Sequence, residues 1–558
     1  MKFAAAITLL LATAAPAIAQ DATLYRGGPI ITMDGDTPQT VEAVVTRGDR
    51  ITFAGPEKQA RKAAGNDAAI HDLKGATLLP GFIDAHSHFT VATMSARGLD
   101  LRAGRPVTDI AGVSATIRDH LARTPAVPGR WTTVWQFDHE TLAEKRYITR
   151  AELDAVAPDR PLVVLHVSLH GAVANSAALR AAGIDESTPV PPGGMILRDD
   201  AGRLNGVLLE KAMFLMLAKM PQPTAEQKLA ALDAAQNAYF AEGYTHAQDG
   251  ATLPPDVAFL TSPAARDRLK IDLALLPFST GLDGLLANPD LEFGSYQGHI
   301  KLQGIKFVLD GSVQARTGFF TRDYKRGSPE GHHPWHGAPV LSEEEFIAPA
   351  RKVHDRGWQL FVHANGDAAI DMAIRGFDAL GIKAADDRRP IVIHSQFQRR
   401  DQLAAYKRIG VGPAYFSNHT WYWADVHRTN FPADVVDFIS PFRSARAAGL
   451  IASNHSDYSV TPLDTRFMLW TSMARVSPTG VVSGPEERLS AYEALQALTT
   501  GPAWQAFEEE RKGRIKPGLL ADFVILDRNP LTTPVDSIKD IKVRETIKEG
   551  RSVWRAQP

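Results

Sequence analysis

Hydrophobic and polar positions alternate with a period of two at both ends of the chain and give way in between to a mixed pattern. Between residues 22 and 77, short runs such as Ala43-Val44-Val45-Thr46 and Arg50-Ile51-Thr52-Phe53-Ala54 are broken by Gly27-Gly28, Gly35, Gly48 and Gly55-Pro56. Side chains of a strand face alternate sides, and glycine and proline end such runs at turns, so this stretch predicts a compact β unit. Residues 521–526, 543–547 and 552–554 repeat the pattern at the far end. The two ends are therefore expected to build one small β-sandwich, from residues 20–79 and 500–558, around a central domain of residues 80–499.

Inside that central stretch, strand-like and helix-like segments alternate, the pattern of an α/β fold with parallel strands. Nine strands are predicted, over residues 82–88, 162–166, 244–249, 271–277, 304–310, 359–363, 391–394, 411–416 and 450–457. The second of them sits in a segment of about 96–223 that is far longer than one helix and dense in Pro and Gly, so it is assigned to an inserted lobe. Eight strands remain, the number that a (β/α)8 TIM barrel requires. At the N-terminus, Met1-Lys2, an apolar run to Ala15 and the small-x-small site Ala17-Ile18-Ala19 read as a signal peptide over residues 1–19, cut after Ala19. Such a leader predicts a periplasmic or secreted protein, and its apolar run is too short to span a bilayer.

Candidate chemistry gathers where strands end. The first closes on Asp84-Ala85-His86-Ser87-His88. On a strand, His86 and His88 would face the same side, about 7 Å apart along the axis, and could converge on one cation. The fourth barrel strand is expected to end on Lys306, the fifth on His363, the sixth on His394 and the eighth on Asp457. Taken singly, each has a structural reading: a strand-end histidine as a hydrogen-bonded core residue, a lone lysine as a solvated charge, the aspartate of Asn454-His455-Ser456-Asp457 as a turn cap. Active sites of TIM barrels lie at the C-terminal ends of the strands, so the joint placement favours a common site.

Composition narrows the chemistry. The 558 residues include no cysteine, which excludes disulfides, thiolate ligands and a cysteine nucleophile. A borderline metal would have to use imidazole and carboxylate, and 18 histidines are available. A formal net charge of −2 suggests neither nucleic acid nor an anionic membrane as partner. The expected partner is a small-molecule substrate, with a homodimer left open.

Several motifs, in order, resemble the amidohydrolase superfamily and, within it, amidohydrolase family 3, the group of N-substituted formamide deformylase-like proteins. They are Leu79-Pro80-Gly81-Phe82-Ile83-Asp84-Ala85-His86-Ser87-His88, His170-Gly171-Ala172-Val173-Ala174-Asn175, Gly206-Val207-Leu208-Leu209-Glu210, Ile305-Lys306-Phe307-Val308-Leu309-Asp310-Gly311, His363-Ala364-Asn365-Gly366-Asp367, Ile393-His394-Ser395-Gln396 and Ser456-Asp457. One departure falls beside the aspartate, where the family pattern is a Gly-Ser-Asp-x-Pro-Val type run and this chain has Asn454-His455-Ser456-Asp457-Tyr458-Ser459-Val460.

The resemblance implies a metal-dependent amidohydrolase that cleaves a C–N bond, amide or N-acyl/N-formyl, by a metal-activated hydroxide. It implies one or two Zn²⁺ per subunit, or another divalent metal, with His86 and His88 on one metal and His363 and His394 on the second. Lys306 would carry a CO2-derived carbamate bridging the two, and Asp457 would be both ligand and proton shuttle. His170, Asn175 and Glu210 of the lobe are candidate substrate contacts by the same resemblance, although Asn175-Ser176 reads equally as a helix N-cap. Trp421 and Trp423, after the seventh strand, would overhang the pocket or else pack in the core. The same centre would suit an ester, lactone or cyclic amide. A catalytically silent metal-binding or regulatory protein on this scaffold is the remaining alternative, against which Asp457 and Lys306 both argue.

Overall fold

The computed structural model describes residues 22–557, apart from 96–97, 103–106, 125–128 and 222. The leader expected over residues 1–19 lies outside the described residues. The central architecture is mixed α/β and of TIM-barrel type. Eight parallel strands follow the expected order: β1 (Phe82–Ile83), β2 (Tyr244–Thr252), β3 (Asp272–Pro277), β4 (Gly304–Val308), β5 (Gln359–Ala364), β6 (Ile391–His394), β7 (Gly412–Tyr415) and β8 (Ser453–Asn454). They belong to two sheets, one carrying β1, β2 and β3 side by side, the other running β4-β5-β6-β7-β8. Ile300–Leu302 pairs with β3, and after Gln303 the chain continues as β4 and pairs with β5. A bridge between Phe278 and Lys306 reinforces that seam. At the other seam, loop bonds replace a strand ladder: Asp457 N–H donates to His86 O at 3.0 Å and His88 N–H to Tyr458 O at 2.6 Å.

Every residue of β5, β6 and β7 is buried, as expected for parallel strands covered on both faces. Helices supply the outer cover. Glu343–Asp355 shows why they form: Ser342 and Glu345 make a reciprocal capping box, three glutamates fill the first turn, and Phe346, Ala350 and Val353 give one buried stripe. Phe346 packs edge-on against Phe307 of β4, with ring centroids 5.4 Å apart.

Two further sheets flank this centre. Strands from both chain ends share one sheet of eight, in which Phe523–Leu526 runs antiparallel to Thr77–Pro80 with Val524 opposite Leu79. A six-stranded sheet is built wholly from residues 99–210, and Leu162–His166 lies in it between Gly171–Ala174 and Thr132–Phe137. Alternate side chains of that strand serve two cores, Leu162 and Val164 on one face, Val163 and Leu165 on the other. Its apolar pattern is thus explained without a place among β1–β8. No helix of the described residues is long and apolar enough to cross a membrane.

Two strand expectations need correction. The first strand, expected over 82–88, spans only Phe82–Ile83, and the eighth, expected over 450–457, only Ser453–Asn454. Asp84 is the cause: its buried carboxylate accepts from Ser456 N–H at 3.1 Å and from Ser456 Oγ at 2.5 Å, so both chains leave their ladders there and are tied to each other. Lys306, in turn, is the middle residue of β4 and does not end it.

Candidate metal centre

Although His86 and His88 lie beyond β1, their rings sit 5.0 Å apart, edge to face, and both turn to Asp457. His86 Nε2 is 3.6 Å and His88 Nε2 3.2 Å from Asp457 Oδ1, while His394 Nδ1, at the end of β6, is 3.9 Å from Oδ2. His394 Nε2 is 3.1 Å from His363 Nδ1 on β5, and Lys306 Nζ is 3.3 Å from His86 Nε2. The side chains of all six expected residues therefore meet, that of Lys306 reaching the others from the middle of β4. Backbone conformation helps to aim two of them, because His394 and Asp457 hold φ values of 69° and 50°, in the left-handed region that non-glycine residues seldom adopt.

Burial governs the charges. It pushes the imidazoles of His86, His363 and His394 well below their ordinary value, so these rings are neutral and keep a lone pair. It also lowers the Lys306 amine to about 7, partly opposed by the attraction of Asp457. For Asp457 burial acts upward, but the His88 ring and the positive potential of His455 and Lys306 outweigh it and hold the carboxyl below its usual value. The Asp457 carboxyl is therefore ionised near neutral pH.

Asp457 Oδ1 and His394 Nδ1 are buried without a hydrogen bond of ordinary geometry. Such orphans are rare in folded proteins. A divalent cation would satisfy these lone pairs, and the nitrogen and oxygen donors suit zinc in a chain without cysteine. Neighbours fix the ligand rings: Gln248 Oε1 lies 3.0 Å from His86 Nδ1 and Asn365 Nδ2 3.0 Å from His363 Nε2. Asp310 Oδ1, 3.5 Å from His363 Nε2, also accepts from Asn365 N–H at 2.9 Å, and Asp310 Oδ2 accepts from Gly366 N–H at 2.8 Å. Such outer contacts orient metal ligands.

The remaining expected residues divide. His170, which follows Leu162–His166, reaches the centre, its ring centroid 5.0 Å from that of His363, and its Nδ1 lies 2.7 Å from Glu210 Oε2. Burial alone would lower His170, but Glu210 outweighs it and raises its pKa. Asn175 is corrected to a structural residue. Its Oδ1 accepts from Leu162 and Ala178 N–H and its Nδ2 donates to Ala157 and Arg160 O, so no hydrogen-bonding group is left for a substrate. Trp421 and Trp423 likewise take the packing alternative. Trp421 packs on Phe467 and Trp470, while Trp423, only 2% exposed, donates Nε1–H to Asp138 Oδ2 at 3.0 Å. The aromatic ring that touches the centre is Phe416, stacked on His455 at 4.8 Å.

Sequence reasoning missed His455, Gln248 and Asp310. His455 was readable only as part of a turn, although it stands two residues before Asp457. Gln248 falls on the same strand face as His246 and gave no signal as a partner for a histidine 162 residues away. Asp310 was visible as the residue closing the expected fourth strand.

The amidohydrolase family model matches residues 69–554. Over 524 residues the chain is 29% identical to N-substituted formamide deformylase of Arthrobacter pascens, across 91% of this chain and 94% of that protein. It is 24% identical over 521 residues to Protein LONG AFTER FAR-RED 3 of Arabidopsis thaliana, across 91% and 87% of the two chains. Among solved structures, that of an uncharacterized metal-dependent hydrolase from Pyrococcus horikoshii superposes with a TM-score of 0.73 at 23% identity, over 92% of this chain and 99% of the other, a likeness of fold. A family match over this much of the chain shows that the protein belongs to the amidohydrolase family and is a metal-dependent hydrolase acting on carbon–nitrogen bonds.

Proposed function

We propose that the protein hydrolyses the amide or N-acyl bond, N-formyl included, of a small molecule at a centre held by His86, His88, Lys306, His363, His394 and Asp457. The observation that carries this reading is Asp457, an ionised, buried carboxylate within 3.2–3.9 Å of three imidazoles, with Oδ1 lacking a hydrogen bond of ordinary geometry. Zn²⁺ is the proposed metal, one or two per subunit. Bound there, it supplies the Lewis acid and the activated water. Lys306, lowered to about 7, has a substantial neutral fraction near neutrality, and a neutral amine can add to CO2 with loss of one proton to give a carbamate. That modification would turn a base into an anionic oxygen donor for the cations.

The chain's own groups supply the rest. Asp457 takes the proton of the attacking water and passes it to the leaving amine, which needs a carboxylate that stays ionised between turnovers. His170, whose pKa Glu210 raises and which lies beside His363, is positioned to donate a hydrogen bond to the acyl oxygen as negative charge develops there. On this reading β1 to β8 form a (β/α)8 barrel, the segment of about 96–223 is a lobe inserted over its mouth, and the chain ends form a β-sandwich beside it. Residues 1–19 would export the protein to the periplasm or beyond. Native protein should then begin at Gln20, and a cytoplasmic form starting at Met1 would refute export.

The likeness to N-substituted formamide deformylase supports N-formyl compounds as the first substrates to try. A screen of zinc-loaded protein over N-formyl, N-acetyl, lactam and ester compounds should give turnover on a C–N substrate. Turnover confined to esters would overturn the assignment of the scissile bond.

A further inference from the structure

One imidazole at the centre has no part in the reading above. His455 follows β8, and its backbone N–H donates to Tyr415 O at 3.1 Å, which pins it to the neighbouring strand. Its ring is stacked on Phe416 with a 27° interplanar angle and centroids 4.8 Å apart. From that stack it meets His394 at 5.0 Å and His86 at 5.3 Å, both nearly edge to face. The residue is fully buried, and neither ring nitrogen makes a hydrogen bond of ordinary geometry. Leaving a buried polar group unpaired costs about 1–3 kcal/mol, so a partner for the lone pair would be stabilising.

Its surroundings indicate what that is. One donor atom each of His394, His455 and Asp457 lie within 4.8 Å of one another, and so do one each of His86, His88 and Asp457. Asp457 is common to both groups. A neutral imidazole carries N–H on one nitrogen and a bare lone pair on the other. Phe416 fixes the plane of the ring, so that lone pair has a set direction.

We propose that His455 is an additional ligand of the metal centre, joining His394 and Asp457 on the second cation and making five imidazoles per centre. The inference rests on the metal centre proposed above and goes beyond it in ligand number. A ring that only filled space would leave the metal untouched.

X-ray absorption on the zinc-loaded wild type tests this without any variant. Five imidazole rings per centre are expected, and four would overturn the proposal. Chelator competition on apoprotein reloaded with zinc gives the second arm. His455→Gln should weaken one bound equivalent about 10-fold or more while sparing the other, as loss of one ligand does. In His455→Ala, free imidazole in the medium should restore the lost affinity by entering the vacated space. Unchanged affinities and an unchanged absorption edge in both variants would also overturn it. Failure of the wild type to bind zinc at all would instead defeat the centre itself, so the two claims are separable.

Discussion

Gly250 leaves no room for a side chain, because a β-carbon built there would lie 2.0 Å from His86 Cε1 and 2.4 Å from its Nδ1. Its smallness therefore sets where a ligand ring can stand. Gly250→Ala should lower bound metal and activity together while unfolding changes little, and wild-type metal content in that variant would count against the His86 assignment. Asp457 carries a sharper expectation. With the histidine ligands and Lys306 in place, Asp457→Asn should retain most of its metal yet lose about 10²–10⁴ in kcat, with KM changed much less, since the proton moves in the transition state. Wild-type steady-state kinetics would make Asp457 a turn residue. At this scale the sequence was readable for residues whose type matches the chemistry, the five expected ligand positions and the aspartate among them. It was not readable for His455, whose significance lies in rings that come from β6 and the β1 loop, nor for Gly250, which matters only through the ring it admits.

Among elements, the legible ones were those with long uninterrupted apolar runs. β6 was expected over 391–394 and spans Ile391–His394, and β5 extends its expected range by one residue. β1 and β8 were overestimated because alternation continues past the point where Asp84 takes hold of Ser456, a contact across 372 residues that no local pattern records. Leu162–His166 had the composition of a barrel strand, and only the length and the Pro and Gly content of its surrounding segment argued for an inserted lobe. Asn175 anchors that sheet through four backbone hydrogen bonds. Asn175→Ala should destabilise the fold by on the order of 3 kcal/mol, through the lost cap and stranded backbone groups. Enzyme that remains folded should keep its KM, and a large KM change measured well below the melting transition would return Asn175 to the substrate site.

For the whole molecule, the opposite end of the strands carries a buried ionic network that joins the central sheets to the C-terminal strands. Lys548 Nζ lies 3.1 Å from Asp272 Oδ2 at the start of β3 and 2.9 Å from Asp522 Oδ2, and Lys512 lies 2.8 Å from Glu508 and also bonds Asp272. Burial opposes the ionised carboxylates, but the lysines outweigh it, holding Glu508 at about 2 and Asp272 well below its usual value. His246 beside them is pushed down to about 3, chiefly by burial and then by Lys512. All three groups have folded values below their unfolded ones. Their contribution is therefore complete above about pH 6.5, shrinks first as unfolded His246 takes up a proton, and falls further below about pH 4.5 as the carboxylates do the same. Unfolding free energy should thus decline steadily in acid, and Glu508→Gln should flatten the steepest part, below about pH 4.5. An acid limb identical in wild type and variant would exclude Glu508 as a source of the decline.

The central claim is that amide hydrolysis depends on divalent metal bound by the histidine, lysine and aspartate cluster. Stepwise addition of Zn²⁺ to chelator-stripped protein, with bound metal and turnover of an N-formyl or N-acyl compound followed together, tests it most directly. Activity should be absent at the start, rise in proportion to bound zinc and level off at one to two equivalents per chain. Full turnover in the stripped protein, with no rise on addition of zinc, would contradict it.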